Sequence, residues 1–159
     1  MTRGRPDWRS TVKIKEVMSV NPACCTPNDS AQNVAKVMCD LNVGSIPVVV
    51  DQQTRALVGM ITDRDLCCRV LAHGLDSNAT KIQEFVTYNP ATVRDGENVE
   101  RCEHLMQEHQ VRRIPVVDAD NRVIGIVAQA DVALRDRPER VHKTVAEISK
   151  TTRPSITVA

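Results

Sequence analysis

An internal duplication constrains this chain more than any other feature. Val43-Gly-Ser-Ile-Pro-Val-Val-Val50 returns as Val111-Arg-Arg-Ile-Pro-Val-Val-Asp118, and Gly59-Met-Ile-Thr-Asp-Arg-Asp65 returns as Gly125-Ile-Val-Ala-Gln-Ala-Asp131. Pro47 and Pro115 are 68 residues apart and Gly59 and Gly125 are 66 apart, so one loop has shortened by two residues. The copies also begin alike: the spacing of Ile14, Val17 and Met18 recurs at Ile82, Phe85 and Val86, and Asn21-Pro22-Ala23 recurs at Asn89-Pro90-Ala91. A repeat of about sixty residues is one supersecondary unit that buries its apolar face against a neighbour.

Each unit reads as helical turn, strand, helix, strand, strand, helix. In the first copy Ala23-Cys24-Cys25-Thr26 is a brief extended stretch. Asp29 or Ser30 suits the N-cap of a helix with Ala31, Val34, Val37, Met38 and Leu41 on its apolar face. Ile46 to Val50 is a β-branched strand, with Pro47 at its start or edge because it lacks an N–H. Leu57 to Ile61 is the next strand, and Leu66, Cys67, Val70 and Leu71 mark one helix face before Gly74. In the second copy Thr80 to Gln83 reads as a capping box, and Val99, Cys102, Leu105 and Met106 share a helix face. A three-stranded sheet with helices on one face cannot close its own core. The expected fold is therefore α/β, of the α+β kind, with two units packed sheet against sheet about an approximate two-fold axis that creates two clefts. The expected divisions are 1–11 as a basic tail, 12–75 and 76–137 as the repeats, and 138–159 as a C-terminal segment. Within that segment Val141, Val145 and Ile148 form an amphipathic stripe that either packs back or joins a partner subunit.

Composition narrows the function. The net charge is +1, from 21 basic and 20 acidic residues, so no overall field draws the chain to nucleic acid or an anionic membrane. Aromatics are 2% of residues against 42% hydrophobics, which leaves few platforms for stacking bases. No stretch approaches the roughly 18 apolar residues of a membrane span, and the N-terminus has no apolar signal core, so a cytoplasmic location is expected. The six cysteines form two adjacent pairs, Cys24-Cys25 and Cys67-Cys68, plus Cys39 and Cys102. With no zinc-type spacing they read as reduced, small core residues. His104 and His109 are five residues apart, not the four that aligns ligands on a helix face, so no metal is expected. No nucleophile with a supporting base emerges, and the chain reads as non-enzymatic.

Chemistry concentrates where Gly59 to Asp65 turns from strand to helix, because unpaired N–H groups at a helix start attract anions such as phosphate. Thr62 and Asp65 are spaced as a capping box too. In the second copy Asp131 is retained but Ala128 replaces the hydroxyl, which leaves a carboxylate without a cap to serve. A carboxylate in the first helical turn can accept from both hydroxyls of a ribose diol.

The paired Ile-Pro-Val-Val strands, each followed by the Gly-to-Asp motif, resemble the cystathionine-β-synthase (CBS) domain, and two in tandem resemble a CBS pair, or Bateman module. The likeness spans roughly residues 12 to 135. It implies a regulatory sensor that requires no cofactor and binds AMP, ADP, ATP, NAD or S-adenosylmethionine between the repeats, pairs into a disk-like homodimer and acts on a separate protein. Carried over by position, Thr62 contacts phosphate or ribose, Asp65 and Asp131 accept from ribose, and Arg112 and Arg113 reach phosphates. The first copy has Gly44 and Ser45 in place of the arginines. Cys25, Ile46, Val93 and Ile114 are the expected adenine-pocket positions. Ala128, Gly44 and Ser45 favour an alternative, a ligand-free dimeric scaffold, and the cysteine pairs suggest a third reading, a thiol redox sensor.

Overall fold

A computed structural model of the chain describes residues 11–150. The basic tail of residues 1–10 and the end of the C-terminal segment, residues 151–159, lie outside the described residues. The first half contains helix α1 (Ile14–Val17), strand β1 (Ser19–Val20), helix α2 (Ala31–Leu41), strands β2 (Ser45–Val49) and β3 (Leu57–Thr62), and a short helix α3 (Asp63–Asp65) that widens into a π-helical segment at Leu66–Leu71. The second half runs through a 3-10 turn (Ile82–Glu84), β4 (Thr87–Tyr88), α4 (Val99–His109), β5 (Arg113–Val117), β6 (Val123–Ala128), α5 (Gln129–Ala133) and α6 (Pro138–Ile148).

These strands form two antiparallel sheets of three, ordered β2-β3-β4 and β1-β6-β5. The expectation that each repeat supplies its own sheet is corrected here. Short strands not read from the sequence, Ser19–Val20 and Thr87–Tyr88, cross with the helical turns to the other repeat, while Cys25 of the expected 23–26 stretch only bridges Val48 of its own. Ile14 and Val17 are buried with Val99, Met106 and Ile114, while Ile82, Phe85 and Val86 are buried with Val34, Met38 and Ile46. Asn21 and Asn89 turn the chain back at φ 48° and 50°, a left-handed conformation that Asn tolerates better than most residues. The exchange repeats bond for bond. Ile14 N–H donates to Glu97 O at 2.9 Å and Ile82 N–H to Asp29 O at 3.0 Å, and the same pairing returns as Val99 N–H to Val12 O and Ala31 N–H to Thr80 O, both 2.9 Å.

Gly59 and Gly125 mark where the borrowed strands lie against the host sheets. A Cβ on Gly59 would sit 2.3 Å from Val86 Cγ1 and 2.6 Å from the Thr87 carbonyl oxygen, and one on Gly125 would sit 2.7 Å from Met18 Sδ and 3.1 Å from the Ser19 carbonyl oxygen. The glycines that open the repeated motif are thus explained by strand packing. Val49, Leu57, Val117 and Val123 then close the gap between the two halves. Leu57 N–H donates to Asn121 O at 3.0 Å and Val123 N–H to Arg55 O at 2.9 Å across the same seam.

Four local expectations differ. The helix after Asp65 carries Ala72 N–H to Cys67 O, an i to i+5 bond, so its face rotates: Leu66 and Val70 are buried while Cys67 and Leu71 are exposed. In α2, Ala31, Val34 and Met38 are buried but Val37 and Leu41 are exposed. Thr80 does not form its capping box, because Lys81 is in extended backbone paired with Ser30 and precedes the 3-10 turn. Of the cysteines, Cys25 and Cys102 are core residues, whereas Cys39, Cys67 and Cys68 are exposed.

Of the C-terminal stripe only Ile148 packs back fully: Val141 is half-buried, Val145 is exposed, and Thr144 takes the inner face instead. Ile148 joins the second core and α6 lies along α4. Between them Glu103, 3% exposed, accepts from Thr144 Oγ1 at 3.3 Å, and Gln107 Nε2 donates to Thr144 Oγ1 at 2.8 Å. Arg140 pairs with Glu100 and lies 3.7 Å from Asp136 Oδ2, a buried oxygen that accepts no hydrogen bond from the fixed donors around it. The Glu103 carboxyl faces Asp136, and its protonated form can donate to that oxygen. Burial first, then the facing Asp136 carboxylate, pushes the Glu103 pKa up from 4.5 to about 8, against the smaller opposing pull of Thr144 and Arg140.

Two predictions follow from this packing. Gly59→Ala should cost about 2 to 3 kcal/mol in urea unfolding, because a carbonyl of the borrowed strand cannot yield, and Gly125→Ala should cost less because flexible Met18 can. For Glu103 the folded pKa lies above the unfolded value, so its contribution to stability is full below about pH 4.5 and is lost as pH rises to about 8. Urea midpoints measured across that window should fall in the wild type and lose this slope in Glu103→Gln.

Candidate functional site

The exchange of segments builds a cleft between the repeats, with a volume of about 580 Å³, within the usual range for small-molecule sites. Its walls are Gly44, Thr62, Asp63 and Arg64 from the first repeat, the connecting Asn89 and Pro90, and His109, Arg112 and Arg113 from the second.

β3 delivers Thr62 to the rim, where its hydroxyl caps α3. Thr62 Oγ1 accepts from Asp65 N–H at 3.1 Å and donates to Asp65 Oδ2 at 2.7 Å, and Asp65 Oδ2 also accepts from Thr62 N–H at 3.0 Å. Asp65 Oδ1 is left with Arg69 at 3.9 Å. Asp63 N–H donates to Gly44 O at 3.0 Å, which ties the helix start to the start of β2. From the other side α4 ends at Gln110 in a left-handed turn, φ 51°, that sends Val111 N–H back to Met106 O and aims Arg112 and Arg113 into β5. Gly44 leaves the floor open. A Cβ there would lie 3.1 Å from Asp63 Oδ2 and 3.4 Å from Arg113 Nη1, so a guanidinium of one repeat and a carboxylate of the other approach the same space. Among the described residues Arg64, Arg112 and Arg113 form no ion pair.

Thr62, Arg112 and Arg113 are therefore brought together at this cleft. Asp65 stands one helical turn behind Thr62 and is not part of the lining. Asp131 occupies the equivalent place in the second repeat, and the expectation that it has no cap to serve is corrected: no hydroxyl caps the helix, but Asp131 Oδ2 accepts from Ala128 N–H at 2.9 Å and so keeps its half of the capping box. Cys25 and Ile46 are buried in one core and Val93 and Ile114 in the other, and none of the four lines this cleft. Burial, then the charges of Asp29 and Cys24, pushes the Cys25 thiol up to about 12, far from a reactive thiolate. Asp63 and Arg64 are exposed and also line the cleft. His109 and Asn89 had no chemical signal of their own; only their positions beside the arginines and the chain crossing mark them.

The family model for the CBS domain matches residues 14–71 and again 82–136. The chain belongs to the CBS-domain family. Among CBS relatives, the uncharacterized protein YlbB of Bacillus subtilis is 39% identical over 139 residues, covering 87% of this chain and 92% of its own. The CBS domain pair of protein MJ0100, solved in complex with 5'-methylthioadenosine and S-adenosyl-L-methionine, superimposes with TM-score 0.69 at 30% identity over 79% of this chain and 95% of that one. CBSX2, a CBS-pair protein of Arabidopsis thaliana, was solved in complex with AMP and superimposes with TM-score 0.66 at 27% identity over 77% and 93%. Among the described residues no helix is long and apolar enough to cross a membrane.

The uncapped second CBS repeat gives a direct test. Ala128→Thr should restore a hydroxyl acceptor at the α5 start and raise stability by about 0.5 to 1 kcal/mol, read from the shift in urea midpoint.

Proposed function

We propose that this protein is a non-enzymatic regulatory module that binds an adenosine nucleotide in the cleft between its CBS repeats. It passes the bound state to a separate protein partner. The observation that carries this reading is the convergence of Thr62 with Arg112 and Arg113, residues of different repeats, on one cleft. Guanidinium groups without carboxylate partners are the donors that phosphate oxygens select, and Thr62 adds a hydroxyl beside them. The AMP complex of CBSX2 and the methylthioadenosine and S-adenosylmethionine complex of the MJ0100 pair support an adenosine-type ligand.

In this reading Asp65 accepts from ribose through Oδ1 while Oδ2 keeps the cap, and Asp131 is the equivalent acceptor of the second repeat. Cys25, Ile46, Val93 and Ile114 act from the cores, holding the strands against which adenine lies. Because the walls belong to different repeats, a ligand that prefers one relative position of the repeats shifts the equilibrium toward it, typically by 1 to 3 kcal/mol. The module works in the cytoplasm and pairs with a second copy of itself, covering exposed apolar residues such as Leu41 and Leu71.

A second reading, a ligand-free dimeric scaffold, is favoured by the closed Thr62–Asp65 cap, which explains both residues without any ligand. Calorimetric titration with AMP, ADP, ATP, NAD and S-adenosylmethionine separates the two, with sedimentation velocity following the homodimer. Binding should be seen for at least one of them, and Asp65→Ala should weaken it by about tenfold, or 1.4 kcal/mol. Silence toward all five at millimolar concentration, with Asp65→Ala affecting stability alone, would leave the scaffold.

A further inference from the structure

The two repeats share a backbone and differ in charge, and the difference is concentrated at the cleft. Asp63 N–H donates to Gly44 O as Gln129 N–H donates to Arg112 O, and Cys25 N–H to Pro47 O as Val93 N–H to Pro115 O. The residues are thus equivalent by hydrogen bonding as well as by sequence. At the positions equivalent to Thr62, Asp63 and Arg64 stand Ala128, Gln129 and Ala130, and opposite His109 stands Leu41. The Arg113 guanidinium, which originates in the second repeat, extends to the Gly44 and Asp63 side.

Resting on the nucleotide reading above, we propose that the module binds one phosphorylated adenosine ligand per chain, at the Thr62 cleft, and that the equivalent positions around Ala128 carry no phosphate site. Arg64, Arg112 and Arg113 face one carboxylate, Asp63, so this cleft is locally cationic in a protein whose net charge is only +1. An adenosine phosphate brings the opposite charge. Methylthioadenosine brings none, and S-adenosylmethionine brings a sulfonium cation that these arginines repel. On the Ala128 side, although Arg113 pairs with Ala128 along the strand, its guanidinium is turned toward Gly44 and Arg112 lines the Thr62 cleft, so Ala128, Gln129 and Ala130 add no charge there while the Asp131 carboxylate stays in place.

Calorimetry on the full chain with ATP, AMP, 5'-methylthioadenosine and S-adenosylmethionine, at low and high salt, tests this. The expected result is one site per chain, with ATP and AMP bound at least about tenfold more tightly than methylthioadenosine, S-adenosylmethionine weakest, and the preference shrinking as salt screens it. The double variant Arg112→Gln/Arg113→Gln should bring ATP to the affinity of methylthioadenosine and leave methylthioadenosine within about twofold. Exposed Arg64→Gln, a milder change should the double variant fold poorly, should weaken ATP alone by about threefold. Two phosphate-dependent sites per chain, or S-adenosylmethionine binding as tightly as ATP, would overturn the proposal while leaving nucleotide sensing intact. Absence of binding by all four would instead remove the nucleotide reading and this inference with it.

Discussion

Everything in this structure depends on two short segments that leave their own repeat and complete the other. β1 lies on β6 and β4 lies on β3, so neither sheet has three strands until both repeats are present. The contact is close enough that only a hydrogen fits at Gly59, where a Cβ would lie 2.6 Å from the Thr87 carbonyl oxygen. Ile14 and Ile82, each fully buried in the opposite core, anchor the exchange. A single repeat would expose both a sheet edge and the apolar floor on which the borrowed turn sits, which is why these units fold as a pair.

That interlock also makes the cleft. The connection that carries β4 across to the first sheet continues through Asn89 and Pro90, and those residues form part of the wall between Thr62 and Arg112. A ligand there touches the first repeat, the second repeat and the segment that joins them. Under the proposed function, small displacements of one half against the other would change the site and ligand contacts would bias those displacements in return, the reciprocity that any linked binding and conformational equilibrium obeys. The seam at Val49, Leu57, Val117 and Val123 is small and apolar, and it is pinned at its edge by hydrogen bonds between Leu57 and Asn121 and between Val123 and Arg55.

Much of this was legible in the sequence. The duplication, the two sheets facing each other and the pairing of Thr62 with Asp65 were readable because they rest on local spacing, which propensity and capping rules govern directly. The exchange was not. Ile14 and Ile82 carry the same apolar side chain in the same local pattern, so each fits either core, and only chain geometry decides between them. The same ignorance hid which residues meet across the cleft. Arg112 and Arg113 could be named from their position before Ile114, but that they approach the side of Gly44 and Asp63 follows from folding. Ile46 and Ile114 show a further limit: on strands buried on both faces, as β2 is throughout, apolar type cannot separate a pocket wall from a core position.

The paired hydrogen bonds explain how two equivalent halves could diverge. Backbone groups make the crossing bonds that repeat in both halves, from Ile14 and Glu97 to Ile82 and Asp29, and backbone geometry is insensitive to which side chains line the cleft. Ala128 illustrates the freedom this gives. It lacks the hydroxyl that Thr62 carries, yet Asp131 accepts its N–H, so the helix start forms without the cap. Side chains around the clefts can therefore vary without loss of fold, and charge can collect on one side. The fold supplies symmetry, and the side chains at Thr62, Asp63 and Arg64 against Ala128, Gln129 and Ala130 break it.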